Sequence, residues 1–124
     1  MTNLLYIAGG GAIGALLRFW MSNGIYRLMG SAFPYGTLTV NIAGSMLMGV
    51  SYALLFERLD VGPEWRALIM IGLLGAFTTF STFSLETLNL IEAGEVVRAA
   101  LNIILSVSLC VAGCWAGMVL GRTA

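Results

Sequence analysis

Apolar residues run along this chain in four long blocks, at about 4–29, 35–56, 67–91 and 97–121, with short polar connectors between them. Each block reaches the length of about 20 residues that an α-helix needs to cross the hydrocarbon of a bilayer. The pattern predicts an all-α membrane protein, a single domain over residues 1–124 with four transmembrane helices. The connectors hold most of the charge and both prolines, Pro34 and Pro63, which cannot continue a preceding helix. Only Met1, Thr2 and Asn3 precede the first block, with no basic side chain among them, so it reads as a mature helix rather than a cleaved signal.

Polar residues inside the blocks recur at helical spacing. Thr37, Asn41 and Ser45 fall at i, i+4 and i+8 on the second helix. Thr79, Thr82 and Glu86 share a face of the third, with Ser81 and Ser84 beside them, and Asn102, Ser106 and Cys110 repeat the spacing on the fourth. Lipid offers no water to such groups, so they face protein or an aqueous track. A single hydroxyl is as well explained by an interhelical hydrogen bond, worth about 1 kcal/mol or less. The stretch from Gly72 to Glu86 is different, because it concentrates hydroxyls, the phenyl rings of Phe80 and Phe83 and a carboxylate in one span, as a transport route does. Gly72 and Gly75 also precede two β-branched residues, Thr78 and Thr79, which predicts a break in the third helix and freed carbonyls able to hold a hard cation.

Composition agrees with the pattern: 59% of residues are hydrophobic and 10% charged. Charge placement adds more. The net charge is zero, with six arginines and neither lysine nor histidine. Arg58, Arg66 and Arg122 fall on one side and Arg27 and Arg98 on the other, with Arg18 inside or near the second face. Lys/Arg asymmetry sets orientation, so this near balance predicts insertion both ways up. Four helices fill their own centre with side chains, so a pore calls for an oligomer. Equal populations of two orientations make an antiparallel homodimer the natural assembly.

Gly10 with Gly14, and Gly113, Gly117 and Gly121, have the spacing of close helix contacts. Gly9, Gly11 and Gly14 spell a dinucleotide fingerprint, yet no strand precedes them, so no nucleotide site is expected, nor any nucleic-acid partner. Cys110 and Cys114, four apart on one helix, are poorly placed for a disulfide with each other. One Glu in the third block and no His argue against a metal-cation path. Hydroxyl and amide donors, with the positive edges of phenyl rings, suit a small anion. The lack of His, of a metal set and of an activated nucleophile argues against an enzyme.

The runs Gly36-Thr-Leu-Thr-Val-Asn41 with Gly44, Gly75 to Ser84 with its Thr-Thr-Phe-Ser-Thr-Phe-Ser core, and Gly14-Ala-Leu-Leu-Arg18-Phe resemble the bacterial fluoride channels called Fluc or CrcB, over essentially the whole chain. The resemblance implies a dual-topology homodimer in the bacterial inner membrane with two fluoride pores that export the ion passively. It implies a structural sodium ion at the dimer interface, held by the main-chain carbonyls of Gly75 and Thr78. It makes Asn41 a fluoride donor, Phe80 and Phe83 the rings facing the ion and Ser106 the fourth-helix pore position, with Thr82, Ser84 and Glu86 on a polar exit track and Arg18 near a vestibule. The alternative is a small proton-coupled exporter of the multidrug type using Glu86, although the essential Glu of that family lies midway along the first helix, where this chain has Arg18 and no acid. A third reading is a structural subunit that transports nothing.

Overall fold

The computed structural model of the chain describes residues 2–59 and 61–123. Its first helix, α1 (Thr2–Met29), ends at Gly30, whose φ of 81° turns the chain and whose N–H returns to the Tyr26 carbonyl at 2.8 Å. Pro34 then opens α2 (Tyr35–Tyr52), which runs on without interruption as a π-helical stretch, Ala53–Arg58. The third span starts with α3 (Pro63–Arg66), where Pro63 occupies the first turn and needs no N–H partner. It continues as a second π-helical stretch, Ala67–Leu74, and a last α turn, Gly75–Phe77. Two extended residues, Thr78 (ψ 158°) and Thr79 (ψ 121°), separate this from α4 (Phe80–Glu92). Gly94, with φ 82°, turns the chain into α5 (Val96–Thr123). The stretches Asn3–Met29, Tyr35–Arg58, Pro63–Glu92 and Val96–Thr123 are each long and apolar enough to cross a membrane.

Packing follows the glycines. The most extensive contact is α2 against α5, and the next is α1 against the π-helical Ala67–Leu74. On α5 a Cβ at Gly117 would collide with the Met46 carbonyl, and one at Gly121 would lie 2.7 Å from the Ala53 methyl. On α1, Gly10 and Gly14 lie directly against the backbone of Leu68 and Leu73. Helices approach this closely only where no side chain intervenes. The interior is accordingly thin, with Leu74, Val40 and Asn102 its largest fully buried side chains. Trp20 and Trp115 stay 63% and 67% exposed, as expected of a surface that meets lipid.

At one end of the bundle Arg122 forms a bidentate pair with Glu57, at 2.8 and 3.0 Å, and Arg58 donates to the Gly121 carbonyl at 3.1 Å, joining the ends of α2 and α5. Arg66 lies over the Phe56 ring, 4.0 Å from its centroid.

Gly117→Ala should destabilise the fold by about 1–3 kcal/mol, because the new methyl overlaps a main-chain carbonyl and the two helices must separate. Gly24→Ala, where none of the described residues would lie within 4 Å of the new methyl, should be neutral or slightly stabilising. Thermal unfolding in detergent compares the two, and equal melting temperatures would show that the α2–α5 approach does not limit stability.

Candidate functional site

The site is organised around Thr78 and Thr79. An α-helix that continued through them would bring the Thr79 N–H to the Gly75 carbonyl and the Thr82 N–H to the Thr78 carbonyl. Both donors go elsewhere. The Thr79 N–H donates to Asn41 Oδ1 at 2.8 Å, and Asn41 Nδ2 donates back to the Thr79 carbonyl at 3.0 Å. The Thr82 N–H donates to Thr79 Oγ1 at 3.2 Å, which caps α4 at its N-terminus. On the upstream side the Thr78 N–H and hydroxyl both donate to the Leu74 carbonyl, at 3.2 and 3.1 Å. Arg18 Nε donates to the Ala76 carbonyl at 3.0 Å. Gly44 on α2 makes room for this arrangement, since a Cβ there would collide with the Thr78 methyl.

Beside these residues lies a cavity of about 400 Å³ between α2, the 78–83 segment and α5. Asn41, Ser45, Thr78, Thr79, Phe80, Phe83, Ser106 and Cys110 contribute to its lining, and no charged side chain among the described residues does. The Phe80 and Phe83 rings stand 5.3 Å apart at 42°. Phe80 is 77% exposed, so one face of the ring pair is uncovered by this chain. Asn41 carries two amide N–H groups, of which the Thr79 carbonyl takes one.

A second set of polar contacts ties α4 to α5. Thr87 donates its hydroxyl to the Phe83 carbonyl at 2.7 Å and accepts from Asn102 Nδ2 at 2.8 Å. Asn102 Oδ1 in turn accepts from the Ser106 hydroxyl at 3.4 Å. Asn102 is 1% exposed, and its chain of bonds links the helix that carries both rings to the serine across the cavity. Sequence spacing puts Asn102 and Ser106 on one face but does not single out Thr87. Its one signal in the sequence is its position four residues after Phe83, where a threonine hydroxyl bonds back to the preceding turn.

The remaining candidates stand apart from the cavity. Thr82 bonds the Thr79 hydroxyl at 3.1 Å, and Ser84 donates to the Phe80 carbonyl at 2.9 Å. Glu86 accepts a hydrogen bond from the Tyr26 hydroxyl, which also lies 3.3 Å from Thr37 Oγ1. The other carboxylate oxygen of Glu86 is buried with no hydrogen-bond partner among the described residues, and Glu86 borders a separate pocket of about 250 Å³ with Ser31, Pro34, Asn89 and Leu90. Arg18 sits against main chain and lines neither cavity.

Known proteins align closely with this chain. The family profile described as CrcB-like protein, Camphor Resistance (CrcB), matches residues 5–118. A protein of Shewanella amazonensis named fluoride-specific ion channel FluC is 60% identical over 110 residues, 89% of this chain and 88% of its own length. A Coxiella burnetii protein of the same name is 53% identical over 121 residues, 97% of this chain and 98% of its own length. A Methylococcus capsulatus protein, again so named, is 54% identical over 97% of this chain, which spans 53% of that relative's length.

Asn102→Leu should cost about 1–3 kcal/mol of stability, since it leaves the Thr87 and Ser106 hydroxyls short of a buried partner. Thr87→Val should then cost less in the Asn102→Leu background than in the wild type. Strict additivity in this double-mutant cycle would show that the polar chain is not a coupled unit.

Proposed function

This chain belongs to the CrcB family, and we propose that it is a fluoride-selective channel, a multi-pass protein of the bacterial inner membrane that lets cytoplasmic fluoride leave passively. One observation in the structure carries the reading. Amide and hydroxyl groups from Asn41 and Ser106 meet the Phe80 and Phe83 rings around one cavity that, among the described residues, no carboxylate or basic side chain lines. Donors and positive ring edges replace the hydration shell of a small anion without binding it as tightly as a fixed cation would. The Ser106 hydroxyl, engaged at 3.4 Å, gives up little when it turns toward an ion. Hydrogen fluoride enters uncharged and ionises in a near-neutral cytoplasm, and a negative-inside potential drives the anion out by about 2.3 kcal/mol per 100 mV. No catalytic step is involved. The exporter alternative loses support from Glu86, which is engaged by Tyr26 away from this cavity, and the relatives' names give it none.

The assembly we propose is an antiparallel, dual-topology homodimer with a structural sodium ion at its interface. Support comes from the carbonyls of Gly75 and Thr78, which lie at the interruption and whose intrahelical donors, the N–H groups of Thr79 and Thr82, bond instead to Asn41 and to the Thr79 hydroxyl. Main-chain oxygens left this way in hydrocarbon suit a hard cation. Gly75 itself is exposed, keeps helical angles (φ −61°, ψ −38°) and has its nearest atom for a Cβ at 3.6 Å. Nothing among the described residues of its own chain requires a glycine there, and a second copy approaching closely would.

Asn41→Asp should lower fluoride efflux from liposomes at least about tenfold, because a carboxylate cannot donate to the Thr79 carbonyl and repels the anion. Phe80→Ile and Phe83→Ile should each slow it severalfold, and full flux in all three variants would exclude the cavity as the path. For the assembly, Gly75→Val should weaken the dimer while each chain keeps its helical content, and Thr78→Ser, which retains the hydroxyl bond to Leu74, should not. Removing sodium should inhibit efflux. A dimer indifferent both to Gly75→Val and to exchange of sodium for a large organic cation would rule out the interfacial ion.

A further inference from the structure

The lining of the cavity also carries a different chemistry. Cys110 and Cys114 on α5 and Met48 on α2 all line it, so three sulfur-bearing side chains border one space. Both thiols are free, and all three residues are half-buried, open to the cavity without being fully exposed. Residues four apart on a helix hold their Cβ atoms about 5–6 Å from each other, beyond the about 3.5–4.5 Å that a disulfide needs. A metal between the two sulfurs, at about 2.3 Å from each as in zinc–thiolate sites, lengthens the link enough to bridge that gap. Among the described residues no three His, Cys, Asp or Glu side chains cluster, so hard cations find no side-chain cage. Two thiols and a thioether, all soft donors, match a soft monovalent d¹⁰ ion of low coordination number, Cu(I) or Ag(I).

We propose that Cys110, Cys114 and Met48 form a soft-cation site inside the cavity, and that its occupation closes the anion path. The closing step rests on the reading of this cavity as the fluoride route; the binding step does not. Each thiol releases its proton to water as its sulfur–metal bond forms, and no electrons change hands. The bis-thiolate complex keeps one net negative charge. A bound ion therefore obstructs the cavity in two ways, by its volume and by a like charge facing Asn41 and the ring pair.

The test uses the full chain in liposomes, in nitrate buffer free of chloride and thiols, with silver nitrate as the probe. Bound silver is measured by mass spectrometry and fluoride efflux by electrode. Wild type should bind about one silver ion per chain with its efflux slowed at least about tenfold, both reversed by dithiothreitol. Cys110→Ser and Cys114→Ser should each raise the silver concentration needed for half-occupancy at least about tenfold, and Met48→Leu should raise it severalfold. A Cys110→Ser, Cys114→Ser double variant that binds as much silver as wild type would overturn the site. Full silver occupancy with undiminished efflux would overturn the closing step. A chain that conducts no fluoride even without silver would overturn the channel reading, while the thiol dependence of bound silver still decides the site.

Discussion

Inside a hydrocarbon layer, every N–H and C=O that leaves a helix has to find a partner within the protein, at a cost of several kcal/mol for each one that fails. Two extended residues in the third span raise that demand, and much of the polar chemistry around them answers it. Asn41 supplies Thr79 with both a donor and an acceptor, as a neighbouring strand would. Thr79 caps the helix that follows, Thr78 bonds back to the helix that precedes, and Arg18 takes the Ala76 carbonyl. Several residues that a sequence reading assigns to an ion are thus first of all partners of the backbone. What faces the cavity is the capacity left over, including the second amide N–H of Asn41.

That arrangement depends on close approach of main chains. Asn41 reaches Thr79 because Gly44, one turn further along α2, carries no side chain to hold the extended segment away. Glycines on α1 and α5 draw their helices equally near to Ala67–Leu74 and to α2. With lipid outside, apolar side chains gain little by turning inward, and contact between backbones does the work that a thick core does in water.

Hydropathy was enough to locate four spans, because length and apolar content alone decide whether a helix can cross. Helical spacing likewise put Asn41 with Ser45, and Asn102 with Ser106, on common faces that do line or border the cavity. The partners were out of reach. Asn41 bonds a peptide group, which has no signature in the pattern of side chains, and the same holds for Arg18 and the Ala76 carbonyl. Tyr26, in the last turn of α1, and Glu86, midway along α4, meet across 60 residues on helices whose relative tilt no local pattern encodes. The π-helical stretches were hidden too, since a wider helix alters the register of side chains without altering composition.

The interrupted third span also has an electrical side. A helix carries partial charge at its ends, about half an elementary charge, positive at the N-terminus and negative at the C-terminus. Here one helix ends at Phe77 and another begins at Phe80, so opposite poles are brought close together away from bulk water. They are not treated alike. The guanidinium of Arg18 lies on the negative pole at Ala76, whereas the positive pole at Thr79 meets neutral groups, the Thr79 hydroxyl and the Asn41 amide oxygen. The interruption therefore sets up a lasting field, positive toward the space beside Thr79, generated by main chain and one half-buried arginine contact, while the described residues of the cavity wall are uncharged.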